Sequence, residues 1–134
     1  SYLDARFTEF YQNIEDSRTG NRLRNAPRQS WSVQLSYLQA LASGAQLHWR
    51  YRHRYQDRRF QEPENLLAAS VPAYDVAHFS LTYVPIHDDW QLQLWLDNVW
   101  DETYFLHNFP IGQLTNPATP APPRQMGATL SYRF

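Results

Sequence analysis

From Gln125 to Phe134 apolar and polar residues alternate without a break. Met126, Ala128, Leu130, Tyr132 and Phe134 hold one parity; Gln125, Gly127, Thr129, Ser131 and Arg133 hold the other. Successive side chains on a strand point to opposite faces, so the pattern predicts a strand with one apolar and one polar wall. Five further segments carry the same period of two. They are predicted at about Tyr2 to Tyr11, Ser30 to Leu38, Gln46 to Tyr55, Tyr74 to Val84 and Trp90 to Asp97. In the first, Leu3, Ala5 and Phe7 oppose Asp4, Arg6 and Thr8, and in the second Trp31, Val33, Leu35 and Tyr37 oppose serines and Gln34. The third sets Leu47, Trp49, Tyr51 and Tyr55 against Gln46, His48, Arg50, Arg52 and Arg54, with His53 as a polar exception on the apolar side.

The links between these segments alternate in length. Gln12 to Gln29, Gln56 to Ala73 and about Asp101 to Arg124 are long, whereas Gln39 to Ala45 and Pro85 to Asp89 are short. Long loops at one end and tight turns at the other are the habit of outer-membrane barrels, with the long loops outside the cell. Tyr37, Tyr83, Trp90, Tyr132 and Phe134 all belong to the apolar wall near the short-turn end, where amphipathic rings settle at a membrane boundary. The expected fold is therefore all-β: an antiparallel, up-and-down transmembrane β-barrel segment of about six strands. About eight strands are the fewest that enclose a filled interior, so the segment is expected to be incomplete without further strands. A soluble barrel with its faces inverted satisfies the same hydropathy and stays open as an alternative.

Composition narrows the classes. Aromatic residues make up 16% of the chain while mean hydropathy is -0.66, a combination suited to two-faced strands. No run approaches the roughly 18 apolar residues of a membrane helix, and no signal-peptide pattern is present. The chain begins at Ser1, which leads to the expectation of a mature protein or a carboxy-terminal fragment. Cysteine is absent, which removes disulfide and thiolate-metal frameworks, and a net charge of -1 gives no case for nucleic-acid binding. The five histidines form no HExxH pair and there is no GxSxG elbow, so no enzyme, cofactor or metal site is expected. All twelve basic residues are Arg, five of them between Arg50 and Arg59, and the guanidinium favours bidentate contact with carboxylate or phosphate.

Three patches carry a family resemblance. Asn98-Val99-Trp100-Asp101-Glu102-Thr103-Tyr104 resembles the Asn-Leu-x-Asp-x-x-Tyr element at the end of the penultimate strand of TonB-dependent outer-membrane receptors. Pro123-Arg124 followed by Gly127 to Phe134 resembles their closing strand, and Gly20 to Leu23 with Asn25 to Arg28 is similar to a loop that re-enters the barrel. The resemblance implies a barrel of about 22 strands with a plugged lumen, of which residues 1–134 would be the carboxy-terminal portion. No counterpart of the plug or of the amino-terminal box that engages the TonB energy-transducing complex is expected within these residues. The function implied is active import of a scarce ligand such as an iron-siderophore complex. A passive porin-like channel and a soluble ligand-binding β-barrel are the alternatives.

Candidate site residues follow from that frame. His48, Arg50, Arg52 and Arg54 would face the lumen, pairing with plug acids or guiding an anionic ligand. On the outer loops Arg58, Arg59 and Phe60 combine cationic groups with a ring, and Tyr104, Phe105, His107 and Phe109 precede a stiff Pro-rich stretch. Tyr104, inside the family element, is also expected to order the strand end. Leu130, Tyr132 and Phe134 resemble the terminal signal read by the barrel-assembly machinery. The expected partners are outer-membrane lipid, the remaining barrel strands and the plug.

Overall fold

A computed structural model describes residues 1–13, 16–108 and 117–133. Its strands in chain order are β1 (Tyr11–Asn13), β2 (Asp16–Ser17), β3 (Ser30–Ala40), β4 (Gln46–Gln56), β5 (Arg59–Phe60), β6 (Ser70–Val71), β7 (Tyr74–Val84), β8 (Trp90–Asp97), β9 (Phe105–Asn108), β10 (Ala118–Pro120) and β11 (Gln125–Tyr132). The only helical element among the described residues is a single 3-10 turn, Leu67–Ala69. The chain divides into two compact units, and each stands on its own contacts.

One unit is formed by Ser32–Arg54, Asp75–Glu102 and Pro122–Phe134. It holds most of a five-stranded sheet in the order β11-β8-β7-β4-β3, an unclosed meander of strands that succeed one another in the chain. The alternation constrains the pairing, because a one-residue slip would turn a strand's apolar residues to the other face. Thus Phe79, Leu81 and Tyr83 lie opposite Leu96, Leu94 and Leu92, which in turn lie opposite Met126, Ala128 and Leu130. The reverse face carries His78, Ser80 and Thr82 against Asp97, Trp95 and Gln93, then Gln125, Gly127 and Thr129. Both faces are accessible, and Leu35, Met126 and Leu130 are 60%, 75% and 70% exposed, a placement that water alone would not stabilise.

The short links are tight. Leu41 N–H donates to the Ala45 carbonyl and Gly44 N–H to the Leu41 carbonyl, each at 2.9 Å, closing the β3–β4 turn with Gly44 at φ 84°. A Cβ on Gly44 would stand 2.6 Å from Cδ1 of Ile86, so this turn abuts the Pro85 to Asp89 turn. There Asp88, at φ 51°, closes on the Pro85 carbonyl.

The other unit comprises Ser1–Trp31, Tyr55–Tyr74 and Thr103–Ala121. Here the structure departs from the expected first strand. From Tyr2 to Phe10 the only bridges are the isolated ones of Tyr2 to Gln29 and Arg6 to Arg22, and regular pairing begins at Tyr11, where β1 meets β2. The reason lies in the partner segment. Leu3 N–H donates to the Arg28 carbonyl, while Leu23 N–H donates to the Ala5 carbonyl, so the pairing slips between the two contacts. Between them stand Asn25, at φ 55° with its N–H turned to the Phe60 carbonyl, and Pro27, which has no N–H to offer. The all-β, antiparallel, unclosed architecture is as expected, with five of the six predicted segments in the main sheet.

Candidate functional site

The polar face of the five-stranded sheet carries the first group of candidate residues. Even-numbered positions of β4 bring Arg50, Arg52 and Arg54 to that face, all exposed, while their odd-numbered neighbours are half-buried. Arg50 and Arg52 line a recess of about 290 Å³ together with Gln34, His78, Gln93 and Asp97. Across the recess His78 Nδ1 lies 2.8 Å from the Asp97 carboxylate, and the two are direct register partners on β7 and β8. That pairing occupies the nearby acid. Among the described residues no carboxylate lies within ion-pair distance of Arg50 or Arg52. His48, further along β4, contacts the Gln46 side-chain amide at 3.2 Å and lines a second recess beside the short turns.

Trp95 is the one large ring on this wall of β8, and its place depends on Gly127 opposite it. A Cβ on Gly127 would come within 2.5 Å of Trp95 Cζ2, so the indole lies flat over the glycine backbone. Larger residues there would push the ring into the recess.

In the loop unit, Arg59 donates to the Leu106 carbonyl and Phe60 lies 5.8 Å beneath the Arg22 guanidinium. Arg58 is exposed and its N–H is taken by the Asp57 carboxylate. Tyr104 stacks on Tyr74 with ring centroids 4.5 Å apart, and Phe105 pairs with Pro120 in the β9–β10 hairpin. His107 Nδ1 is 3.4 Å from the Gln61 amide. Phe109 lies outside the described residues. The structure therefore brings Arg59 and His107 to one strip around β9 and gives Phe60 and Tyr104 packing partners of their own.

Two residues that the sequence pattern did not single out organise these loops. Gln61, 2% exposed, accepts from Asn108 N–H at 2.6 Å and receives the Arg24 guanidinium on its carbonyl at 2.7 Å. Asn65, at φ 55°, accepts from Arg22 N–H at 2.7 Å and donates to the Arg22 and Glu62 carbonyls. Asn108 adds donations to the Ala68 and Ser70 carbonyls. The only available signal was residue type, since Asn tolerates the left-handed region and bonds backbone groups readily.

The Asn98 element is equally ordered. Asn98 is 3% exposed at φ 52°; its side chain donates to the Glu102 carbonyl and accepts from Glu102 N–H, both at 2.9 Å. Asp101, at φ 58°, accepts from Arg124 N–H at 3.0 Å. These acids and amides tie the end of β8 to the start of β11. At the far end of the sheet, Leu130 and Tyr132 stand on the apolar face opposite Leu92 and Trp90, while Phe134 lies outside the described residues.

Residues 1–99 match the family model described as TonB dependent receptor-like, beta-barrel. The chain belongs to the TonB-dependent receptor β-barrel family. The match stops just after Asn98, so the closing strand is additional to it. Solved structures similar to this receptor segment include the ferric yersiniabactin uptake receptor FyuA from Yersinia pestis, with 18% identity over 87% of this chain and a TM-score of 0.75. BauA, the ferric preacinetobactin receptor from Acinetobacter baumannii, is 19% identical over 98% of this chain with a TM-score of 0.71. The siderophore receptor PiuA from Acinetobacter baumannii is 20% identical over 91% with a TM-score of 0.65. The receptor segment covers 18%, 18% and 16% of those three chains, under a fifth of their length. At these identities the likeness is one of fold. No curated protein matches the chain. Barrels of the family reside in the bacterial outer membrane, which is the segment's location.

Proposed function

We propose that this segment is part of the wall of an outer-membrane receptor that imports a scarce iron-siderophore complex, with energy delivered through TonB. Two of the three similar structures are receptors for a ferric ligand, ferric yersiniabactin and ferric preacinetobactin, and the third is a siderophore receptor, which supports that ligand class. The observation that carries the reading is the pair of exposed guanidinium groups of Arg50 and Arg52, side by side on the polar wall with no carboxylate in reach among the described residues. Such groups fit bidentate acids. In the intact receptor the row of His48, Arg50, Arg52 and Arg54 would dock acidic residues of a plug domain, the role an open porin has no need for. Arg58, Phe105, His107 and Phe109 would stand nearest an incoming ligand on the outer loops, while Arg59, Phe60 and Tyr104 would hold those loops in shape. Leu130, Tyr132 and Phe134 would be read by the barrel-assembly machinery.

The test is uptake of ferric siderophores by cells carrying the full-length receptor, with and without TonB. Import that disappears without TonB is expected, and import that persists at the same rate would favour the passive channel. Replacing both Arg50 and Arg52 by Glu should lower import without lowering the amount of receptor in the outer membrane.

A further inference from the structure

One polar pair interrupts the apolar face. His53 and Asp75 share the parity of Tyr51 and Ala77, yet His53 Nε2 lies 3.0 Å from an Asp75 carboxylate oxygen, with the side chains 23% and 50% exposed. An accessible carboxylate is costly in hydrocarbon, by several kcal/mol at mid-bilayer, and cheap among headgroups. The pair stands at the long-loop end of its strands, since Asp75 is the second residue of β7 and His53 lies three before the end of β4. Tyr51 presents its ring edge-on to His53 at 6.2 Å. At the other end of the same face Tyr83 packs against Trp90 at 5.5 Å, and Tyr132 is the register partner of Trp90.

Between these limits the face is free of charge. Ala77, Phe79 and Leu81 on β7 and Leu92, Leu94 and Leu96 on β8 fill it. Asp75 and Tyr83 are eight positions apart on one strand. At about 3.4 Å per residue and a tilt of about 40°, that separation projects to about 20 Å along the membrane normal. The apolar band of an outer-membrane barrel is about 25 Å tall, so the two limits are spaced as the two boundaries of a thin leaflet pair.

We propose that the His53–Asp75 pair is the outer-leaflet headgroup contact of this wall, the level at which hydrocarbon ends, with Tyr83, Trp90 and Tyr132 marking the inner boundary. The partner is the polar zone of a lipid surface. The inference rests on the outer-membrane location and not on transport, so a receptor that imports nothing leaves it standing.

The experiment uses the full-length receptor in phosphatidylcholine vesicles of increasing acyl-chain length. Removing the pair by the double substitution His53→Leu and Asp75→Leu lengthens the apolar band, so the chain length of maximum thermal stability should move at least one step longer. The polar double substitution His53→Asn and Asp75→Asn should leave that maximum in place. A uniform gain at every chain length would put the pair inside hydrocarbon, and no change would put it in water; either result overturns the proposal. Nitroxides at His53→Cys and Phe79→Cys, which meet no competing cysteine within residues 1–134, give an independent depth reading once any cysteine elsewhere in the receptor is replaced. Phe79, midway between Asp75 and Tyr83, should be oxygen-accessible and shielded from a nickel chelate, and position 53 the reverse; equal depths would also overturn it.

Discussion

Replacing Asn98 tests whether one buried amide sets the geometry between the end of β8 and the start of β11. Its side chain makes two bonds of 2.9 Å with the Glu102 backbone and a weaker one of 3.4 Å to the Pro122 carbonyl, from a residue 3% exposed. Each good bond contributes about 1 kcal/mol net, and a buried orphaned carbonyl or N–H adds to the loss, so Asn98→Gly should cost about 2 to 3 kcal/mol. Alanine suffers the same losses and must also hold φ near 52°, where an L side chain costs about 1 to 2 kcal/mol; part of that excess is offset because glycine is the floppier residue when unfolded. Asn98→Ala should therefore exceed Asn98→Gly by about 1 kcal/mol. Asn98→Asp keeps the acceptor for Glu102 N–H but turns a carboxylate toward two carbonyls, so it should fall no nearer to wild type than Gly. The assay is an equilibrium urea titration of the full-length receptor in phospholipid vesicles, read by tryptophan fluorescence and by heat-modifiable gel mobility. If Gly proved worse than Ala, or if both cost under about 0.5 kcal/mol, the left-handed, hydrogen-bonded role assigned to Asn98 would be refuted.

Gly127→Ala should destabilise by about 1 to 3 kcal/mol as Trp95 is driven off the backbone it covers, and should become neutral or mildly stabilising when Trp95 is also changed to Ala; strictly additive effects in that double-mutant cycle would show that the two do not touch. Leu94→Arg, on the apolar face opposite Leu81 and Ala128, should cost about 2 to 4 kcal/mol if that face meets lipid, whereas Gln93→Arg on the reverse face should cost little, and equal losses in a vesicle folding titration would invalidate the assignment of faces.

The strand period was legible because it is local. That Leu94 and Leu96 share a face follows from spacing along their strand, and the register that sets them beside Phe79 and Met126 is one of those that keep a single apolar wall. The unequal links were equally plain, since Gly44 and Asp88 sit in turns too short for anything but a tight reversal. The Arg50 and Arg52 row was visible as a row, but not the fact that the nearby Asp97 is claimed by His78. The same limit explains Tyr2 to Tyr11, whose alternation is sound but whose partner segment contains Asn25 and Pro27, so that no continuous ladder can form beside it. The loops lay furthest beyond reach. Gln61 meets Asn108 across 47 positions of sequence and Asn65 meets Arg22 across 43, through side chains bonded to backbone groups. A period of two encodes which way a residue faces within its own strand; only the folded chain decides which distant carbonyl or N–H a buried amide will satisfy, because that choice depends on where the backbone groups left unpaired by the sheet come to rest.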